Sequence, residues 1–472
     1  MKRTGDEYFD SEEFREMLAN YENAIDTGMP VFMDADELAD IADYYQMQNE
    51  LDKAEEAITQ ALSLSPGAIA PITYRIHEAL YNGNTQQAWE WLEQIVEKSE
   101  PDYIYNRAEI LLAEGKVEEA DRYLRDEFRN VPPDEYQDYV IDVANIYSDY
   151  GYNQKAMEWI VRAHHEDSLD YQELIGRTLF GLGKYKDSEK VFTKLIDKDP
   201  FSKRYWNALA SAQFMEEDYS GAIQSSEYAI AIDPEDPDGL IAKANGLFRL
   251  NNFAQALDYY ERYSEQLPND EFSLLYQGTC LTNLNRPEEA VVRLKKALEI
   301  GGKQSPYYND IIQELAFVYG DEEQTERAIK LLDEVNDNCD PVQIELLKGH
   351  LLLANEDLIG AEEHFRKAII TTDNFNETFL HIIVSFYDNH YFDAAYQLCL
   401  KYFAMAGDDN INGYAYMALC CYELKRYDEF LRYLKKACEL NPRECRAVLC
   451  QIFPEELEPE NYYDYIKDKM KP

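Results

Sequence analysis

The sequence predicts an all-α protein built from repeated helix-turn-helix units, and three observations favour this fold. Small residues recur at intervals of about 34 residues along nearly the whole chain. Apolar residues follow helical spacing on both sides of a break within each interval. Proline closes many of the intervals, as expected where a helix must end. We therefore expect one continuous stack of helical hairpins, although the length of 472 residues alone would suggest about three domains.

Two phased sets of small residues define the hairpins. The set predicted to lie on second helices comprises Ala54, Ala88, Ala120, Ala156, Ser188, Ala222, Ala256, Ala290, Ala328, Ala361 and Ala395, with the large Phe430 at the last position. Twelve residues before each of these lies a first-helix set, namely Ala42, Ala108, Ala144, Gly176, Ala210, Ala244, Gly278, Ala316, Gly349 and Ala418, with Ile76 and Ile383 as exceptions. Small side chains at both positions allow neighbouring helices to approach closely and interlock.

The clearest hairpin covers residues 206–234. Apolar residues at helical spacing over 206–214 predict a first helix, polar residues over 217–220 interrupt it, and 221–230 resume the pattern. Asp233-Pro234 then ends the second helix, because proline lacks the backbone N–H. The same stop recurs at Ser65-Pro66, Val131-Pro132, Asp199-Pro200, Leu267-Pro268 and Asn441-Pro442.

These residues resemble the tetratricopeptide repeat family. Two units carry the family's pattern well, at Trp206, Leu209, Ala210, Ala222, Ala229 and Pro234, and at Leu38, Ala42, Tyr45, Ala54, Ala61 and Pro66. Three departures are Glu127 at a usually small position, a loop lengthened at 301–306, and Phe430 in an Ala position. The resemblance implies a right-handed α-α superhelix, with first helices lining the concave wall. We expect an N-terminal capping helix in 1–34, about twelve repeats in 35–444, and C-terminal capping helices in 445–472.

The charge balance restricts the kind of partner. Against 92 Asp and Glu stand 45 Lys and Arg, which gives a net charge of −47. Such a chain is poorly suited to neutralise phosphates, so we expect no nucleic-acid partner. It contains no long uncharged apolar run and no visible signal peptide, so we expect no membrane insertion and a cytoplasmic location.

No catalytic motif is recognisable, and we expect neither an enzyme nor a cofactor. Gly-rich phosphate loops, Gly-x-Ser-x-Gly elbows and His-Glu-x-x-His are all missing from the sequence. The competing signal is a C-terminal cysteine group, formed by Cys420, Cys421, Cys438, Cys445 and Cys450. A metal or thiol site there stays an alternative, but no Cys-x-x-Cys knuckle is present, and Cys421 occupies a position usually held by a buried residue.

The predicted function is a non-catalytic interaction scaffold that binds a peptide or protein segment in its groove. The alternative among binding proteins is a regulator whose superhelix changes pitch on ligand binding. The central repeats supply the groove residues of this hypothesis: Arg177, Phe180, Arg204, Asn207, Phe214, Asn245, Phe248, Arg249, Phe272 and Tyr276. Arginine can hold a carboxylate, asparagine can bond a backbone, and aromatic rings can act as anchors. Phe180, Phe214 and Phe248 recur every 34 residues, so packing between repeats is an equal alternative for them.

An acidic inner wall is predicted for the first four repeats. Residues 1–170 carry 39 acidic residues against 13 basic ones. Those expected on the inner wall are Asp36, Asp40, Asp43, Asp102, Glu109, Asp138, Asp142 and Asp149. We expect this end to attract basic segments of a partner, with an attraction that fades as salt is added.

Overall fold

The computed structural model describes residues 6–9, 11–48, 50–96, 98–163, 168–321, 324–335, 340–407, 410–449, 452–454 and 457–469. Throughout these ranges the regular structure is helical, with no strand, so the predicted all-α fold is confirmed. The chain divides into two compact units, Met1–Pro234 (unit 1) and Glu235–Pro472 (unit 2). Each unit is described by itself. None of the described helices is long and apolar enough to cross a membrane.

Unit 1 begins with two helices and continues as helical hairpins. Its helices are α1 (Asp6–Phe9), α2 (Glu12–Thr27), α3 (Ala35–Met47), α4 (Leu51–Leu64), α5 (Ile69–Tyr81), α6 (Thr85–Leu92), α7 (Pro101–Ala113), α8 (Val117–Glu127), α9 (Tyr136–Asp149), α10 (Asn153–Ile160), α11 (Leu169–Gly181), α12 (Tyr185–Lys198), α13 (Lys203–Met215) and α14 (Tyr219–Ile232). From α3 onward consecutive helices pair, and the first helix of every pair is odd-numbered.

Unit 2 continues the same pattern and ends with two further helices. Its helices are α15 (Pro237–Arg249), α16 (Phe253–Gln266), α17 (Glu271–Asn283), α18 (Pro287–Gly301), α19 (Tyr308–Asp321), α20 (Thr325–Leu332), α21 (Pro341–Ala354), α22 (Leu358–Thr371), α23 (Phe375–Asp388), α24 (Phe392–Met405), α25 (Tyr414–Glu423), α26 (Tyr427–Leu440), α27 (Pro442–Leu449) and α28 (Tyr462–Lys469). The described helices thus form six hairpins in each unit, at the positions that the small residues predict.

The small residues lie where the two helices of a hairpin meet. Every member of both predicted sets is buried, including the exceptions Ile76, Ile383 and Phe430. A Cβ added to Gly349 would lie 2.4 Å from the ring of Phe365 on the second helix of the same hairpin. In another hairpin the Ser188 hydroxyl donates to the Gly176 carbonyl oxygen over 2.8 Å. Close helix approach is therefore the physical reason for the 34-residue period.

A left-handed residue turns the chain inside most hairpins, two positions after the first helix ends. Glycine fills this place in four hairpins of unit 1, at Gly83, Gly115, Gly151 and Gly183. Non-glycine residues fill it in six others, at Glu217, Asn251, Asn285, Glu356, His390 and Lys425, with φ between 57° and 63°. A side chain is strained at this φ, so the turn geometry is imposed by the packed helices around it.

Helices at both ends of the chain pack onto the neighbouring hairpin. Ser11 caps α2 by accepting a hydrogen bond from the Phe14 backbone N–H over 3.1 Å. Phe14 and Tyr21 of α2 are buried in the same cluster as Leu38 of α3. At the other end the buried residues of α27 and α28 join the cluster of α25 and α26, and these residues are Cys445, Leu449, Tyr462 and Ile466.

Candidate functional site

Two arginines of the predicted groove form ion pairs with acidic residues of the preceding first helix. The Arg177 guanidinium on α11 lies 2.7 Å from an Asp149 carboxylate oxygen on α9. Arg204 on α13 pairs in the same way with Glu173 on α11. Each pair joins the first helices of adjacent hairpins. The Arg204 side chain keeps 58% of its surface exposed, so it can still contact another molecule.

The phenylalanines that recur every 34 residues pack within their own hairpins. Phe180 and Phe214 contact Tyr185 and Tyr219, the first residues of the following helices, with ring centroids 5.3 Å apart in both cases. Phe248 makes the equivalent contact with Phe253 in unit 2, at 5.5 Å. All three contacts are edge-to-face, a favourable geometry for aromatic pairs. Packing inside the hairpin is therefore one role of this period.

The remaining groove candidates in unit 2 join an aromatic and polar network. The Tyr260 hydroxyl donates to the Asn245 side-chain oxygen over 2.7 Å. Tyr276 contacts the rings of Phe248 and Phe272 at 5.0 and 4.5 Å. Arg249 is exposed at the end of α15, whereas Asn207 of unit 1 is half-buried on α13.

A common register decides which side chains of the first helices face one another. We call the residues two before and one after each first-helix small residue the inner-face residues. They are three positions apart, so they lie on the same face of the helix. In unit 1 this register contains much of the predicted acidic wall, with Asp40, Asp43, Tyr74, His77, Asn106, Glu109 and Asp142. In unit 2 it contains Tyr276, Thr279, Glu314, Phe317, Leu347, His350, His381, Val384 and Tyr416.

All nine of these unit 2 residues line one cleft of about 690 Å³. Further lining residues come from the same first helices, among them Phe248, Asp310, Gln313, Leu346 and Asp388. The cleft is open on one side and receives side chains from α15, α17, α19, α21, α23 and α25. Its volume lies within the range of ligand pockets, roughly 300 to 1,000 Å³.

The cleft combines aromatic surface with negative charge. The rings of Phe317 and His350 stack at a centroid distance of 5.9 Å. Burial lowers the pKa of His350, so this imidazole is neutral at pH 7. Burial raises the pKa of Asp310 and also that of Asp388, whose shift His390 partly opposes. Within the ranges the structure covers, neither carboxylate forms a hydrogen bond or an ion pair, and no Lys or Arg lines the cleft.

The acidic wall of unit 1 contains both partnered and crowded carboxylates. Glu109 lies 2.7 Å from the His77 ring nitrogen Nε2, across two adjacent first helices. The Tyr8 hydroxyl donates to Asp40 over 2.7 Å, and Tyr105 hydrogen bonds to Asp142. Asp149 belongs to the ion pair with an arginine described above. The other three members are Asp36, Asp102 and Asp138, of which Asp36 and Asp138 are exposed and Asp102 is half-buried.

Burial decides how the carboxylates of this wall titrate. It raises the pKa of Asp43 to about 6, although the nearby His77 opposes the shift. It also raises the pKa of Asp36 and of Asp142. For His77, burial lowers the pKa, but the hydrogen bond to Glu109 and the surrounding carboxylates outweigh it and raise the pKa overall. An approaching cation would therefore stabilise carboxylates that are costly to keep ionised.

The C-terminal cysteines lie in the hydrophobic core of unit 2. Cys420, Cys421, Cys438 and Cys445 are buried in one cluster, and Cys450 lies outside the described residues. The sulfur atoms of Cys438 and Cys445 are 3.3 Å apart. No group of three or more metal-binding side chains occurs in the part of the chain that was searched, which is the described part.

Sequence reasoning identified only Phe248 and Tyr276 of the cleft and missed its carboxylates and histidines. The signal that could have found them is the inner-face register, counted from Ala316, Gly349 and Ile383. The lengthened loop at 301–306 hid this signal, because it adds four residues to the step between Gly278 and Ala316. A fixed 34-residue step from Tyr276 or Thr279 therefore misses Glu314 and Phe317.

Comparison with known proteins agrees with the repeat architecture. Family models described as tetratricopeptide repeat match residues 174–237, 213–277 and 413–444. Protein FlbA of Caulobacter vibrioides is 28% identical over 162 residues, an alignment that covers 33% of this chain and 27% of FlbA. This chain therefore spans about a quarter of the length of that relative.

Solved structures with similar folds align at low sequence identity. MamA from Desulfovibrio magneticus RS-1, from its residue 41 onward, is 14% identical with a TM-score of 0.34, and the alignment covers 36% of this chain and 94% of that chain. The APC/C hetero-tetramer Cut9-Hcn1 is 15% identical with a TM-score of 0.40, and covers 89% and 76% respectively.

The helical hairpins, the two sets of buried small residues and the matched repeat models lead to one conclusion about the family. This chain is a tetratricopeptide repeat protein.

Proposed function

We propose that this protein is a non-catalytic scaffold that binds a peptide or protein segment along the inner faces of its first helices. Repeat folds of this kind support protein–protein interaction in general, through the surface that successive repeats build together. The observation that carries the proposal is the unit 2 cleft, in which inner-face residues of successive first helices enclose about 690 Å³.

The groove residues of the sequence hypothesis belong to this proposal unit by unit. In unit 2, Phe248 and Tyr276 line the cleft itself. In unit 1, Arg177 and Arg204 keep exposed surface beside their ion pairs and offer donors to a partner's backbone or carboxylates. These residues provide contacts that are polar in unit 1 and aromatic in unit 2.

The acidic wall of unit 1 favours partners with basic segments. Asp43, Asp36 and Asp142 are ionised at a cost, and a Lys or Arg nearby reduces that cost. Opposite charge also speeds association, an effect that salt screens. We propose a cytoplasmic protein partner with a basic segment, and neither nucleic acid nor a membrane as ligand.

Selection from a random-sequence peptide library displayed on phage tests the scaffold proposal, with the full chain as bait. Selected peptides are synthesised, and their affinities are measured by fluorescence anisotropy against the wild type and Phe317→Ala. Truncating this cleft side chain removes apolar contact area, so we expect affinity to fall by about tenfold.

The matched control is Phe201→Ala, which truncates a phenylalanine that is 80% exposed in unit 1, on a loop before α13. Circular dichroism checks that both variants keep their helix content. The proposal predicts that the control binds like the wild type. Failure to select any peptide, or peptides that bind both variants and the wild type equally, would refute peptide binding in the cleft.

A further inference from the structure

The unit 2 cleft has a composition that selects for positive charge. Four aromatic side chains line it, namely Phe248, Tyr276, Phe317 and Tyr416. Three carboxylates accompany them, from Asp310, Glu314 and Asp388. Among the described residues no lysine or arginine lines the cleft. Its two histidines add little positive charge at neutral pH, since His350 is kept neutral by burial.

Two of the carboxylates stand at the open side of the cleft. Asp310 and Asp388 are solvent-exposed on one side, yet the surrounding protein desolvates them enough to raise the pKa of each. Asp310 lies in the first turn of α19, and Asp388 is the last residue of α23. An incoming cation would meet both carboxylates before reaching the aromatic surface, and it would offset the desolvation that raises their pKa.

We propose that this cleft binds an arginine side chain of the partner segment, an inference that rests on the proposed peptide-binding function. A guanidinium group is planar, so it stacks on aromatic rings while its N–H groups bond carboxylates in pairs. The cleft supplies both kinds of surface, with the rings of Phe317 and Tyr416 and the carboxylates of Asp310 and Asp388.

Other occupants fit the cleft less well. An acidic side chain would be repelled by three carboxylates, and a purely apolar one would leave those carboxylates desolvated without compensation. A metal ion needs several ligands close together, and the described residues contain no group of three or more that could hold one. An ammonium group of lysine would pair with the carboxylates but has no planar face to stack on a ring.

The test measures how the cleft carboxylates couple to arginine in the library-selected peptides. Each peptide and its Arg→Gln and Arg→Lys versions are titrated against the wild-type full chain and against Asp310→Asn/Asp388→Asn. The control with the same charge change is Asp258→Asn/Asp373→Asn, at two exposed aspartates of unit 2 that do not line the cleft.

We expect the selected peptides to contain arginine, and the cleft variant to weaken their binding by about tenfold or more. The control should change affinity by less than about twofold, because exposed charges are screened. With the Arg→Gln peptide the cleft variant should lose its effect, while Arg→Lys should bind between the two.

The results separate this inference from the proposed function. Peptides that depend on Phe317 but lack arginine would overturn the arginine site and leave peptide binding intact. The same conclusion follows if the cleft and control variants weaken binding equally, because the net charge alone would then explain the effect. Absence of any selected peptide would overturn both.

Discussion

Replacing Asp43 by asparagine should stabilise the protein at neutral pH and do so less as the pH falls. Asp43 is an inner-face residue of α3, and burial raises the pKa of its carboxyl from 3.8 to about 6. In the unfolded chain this carboxyl ionises near its ordinary value, so the folded protein binds the proton more tightly. Stability is therefore lost as the pH rises from about 4 to about 6, and it stays reduced above that range.

The size of the effect follows from the pKa shift. A shift of about two units corresponds to about 3 kcal/mol, since each unit is worth about 1.4 kcal/mol. This is the upper limit of the gain for Asp43→Asn near pH 7.5. The variant also loses the attraction between Asp43 and His77, so we expect a gain of about 1 to 3 kcal/mol. Near pH 5, where the wild-type carboxyl is mostly protonated, about half of the gain should remain.

Urea-induced unfolding of the full chain, followed by far-UV circular dichroism, measures the free energy of unfolding at both pH values. The matched control is Asp197→Asn, which removes the same charge at an exposed position of α12 in the same unit. We expect the control to change stability by less than about 0.5 kcal/mol at either pH. A gain for Asp43→Asn that does not depend on pH, or a loss at pH 7.5, would refute the assignment of a desolvated carboxyl.

Three further predictions concern packing, backbone strain and charge. Gly349→Ala should lower the free energy of unfolding by about 1 to 3 kcal/mol, because its Cβ would meet the neighbouring ring at 2.4 Å, whereas Gly67→Ala, with no side-chain atom nearer than 3.9 Å, should be nearly neutral in the same urea experiment. Lys425→Gly should raise it by about 1 kcal/mol by relieving a positive φ of 59°, and a loss of stability would contradict strain at that turn. An octalysine probe should lose affinity for the chain between about 0.05 and about 0.5 M salt. Asp36→Asn/Asp138→Asn should bind it more weakly at low salt than a variant carrying two Asp→Asn changes outside the acidic wall.

The sequence alone predicted the helical hairpins because their packing leaves a direct record in residue size. Where two helices approach closely, only a small side chain fits, as Gly349 against Phe365 demonstrates. That constraint recurs in every hairpin and therefore appears as a period. The turn residues leave a weaker record, since glycine in unit 1 gives way to residues such as Glu217 and Lys425 at the same φ.

The site was harder to predict because it depends on contacts between different hairpins. Nothing in the sequence indicates that Arg204 pairs with Glu173, since these residues meet only when α11 and α13 pack side by side. The period of Phe180 and Phe214 likewise reflects contacts with Tyr185 and Tyr219 that repeat in each hairpin. A period alone cannot distinguish such internal packing from a surface that binds a partner.

Photo-crosslinking tests the central claim, that the inner faces of the first helices bind the partner segment. Library-selected peptides carrying a photo-reactive residue are irradiated with the full wild-type chain, and mass spectrometry identifies the modified residues. We predict crosslinks at the inner-face residues of unit 2, such as Thr279, Phe317 and Val384. Crosslinks confined to exposed apolar residues of second helices, such as Val292 on α18 or Ile359 on α22, would contradict the account.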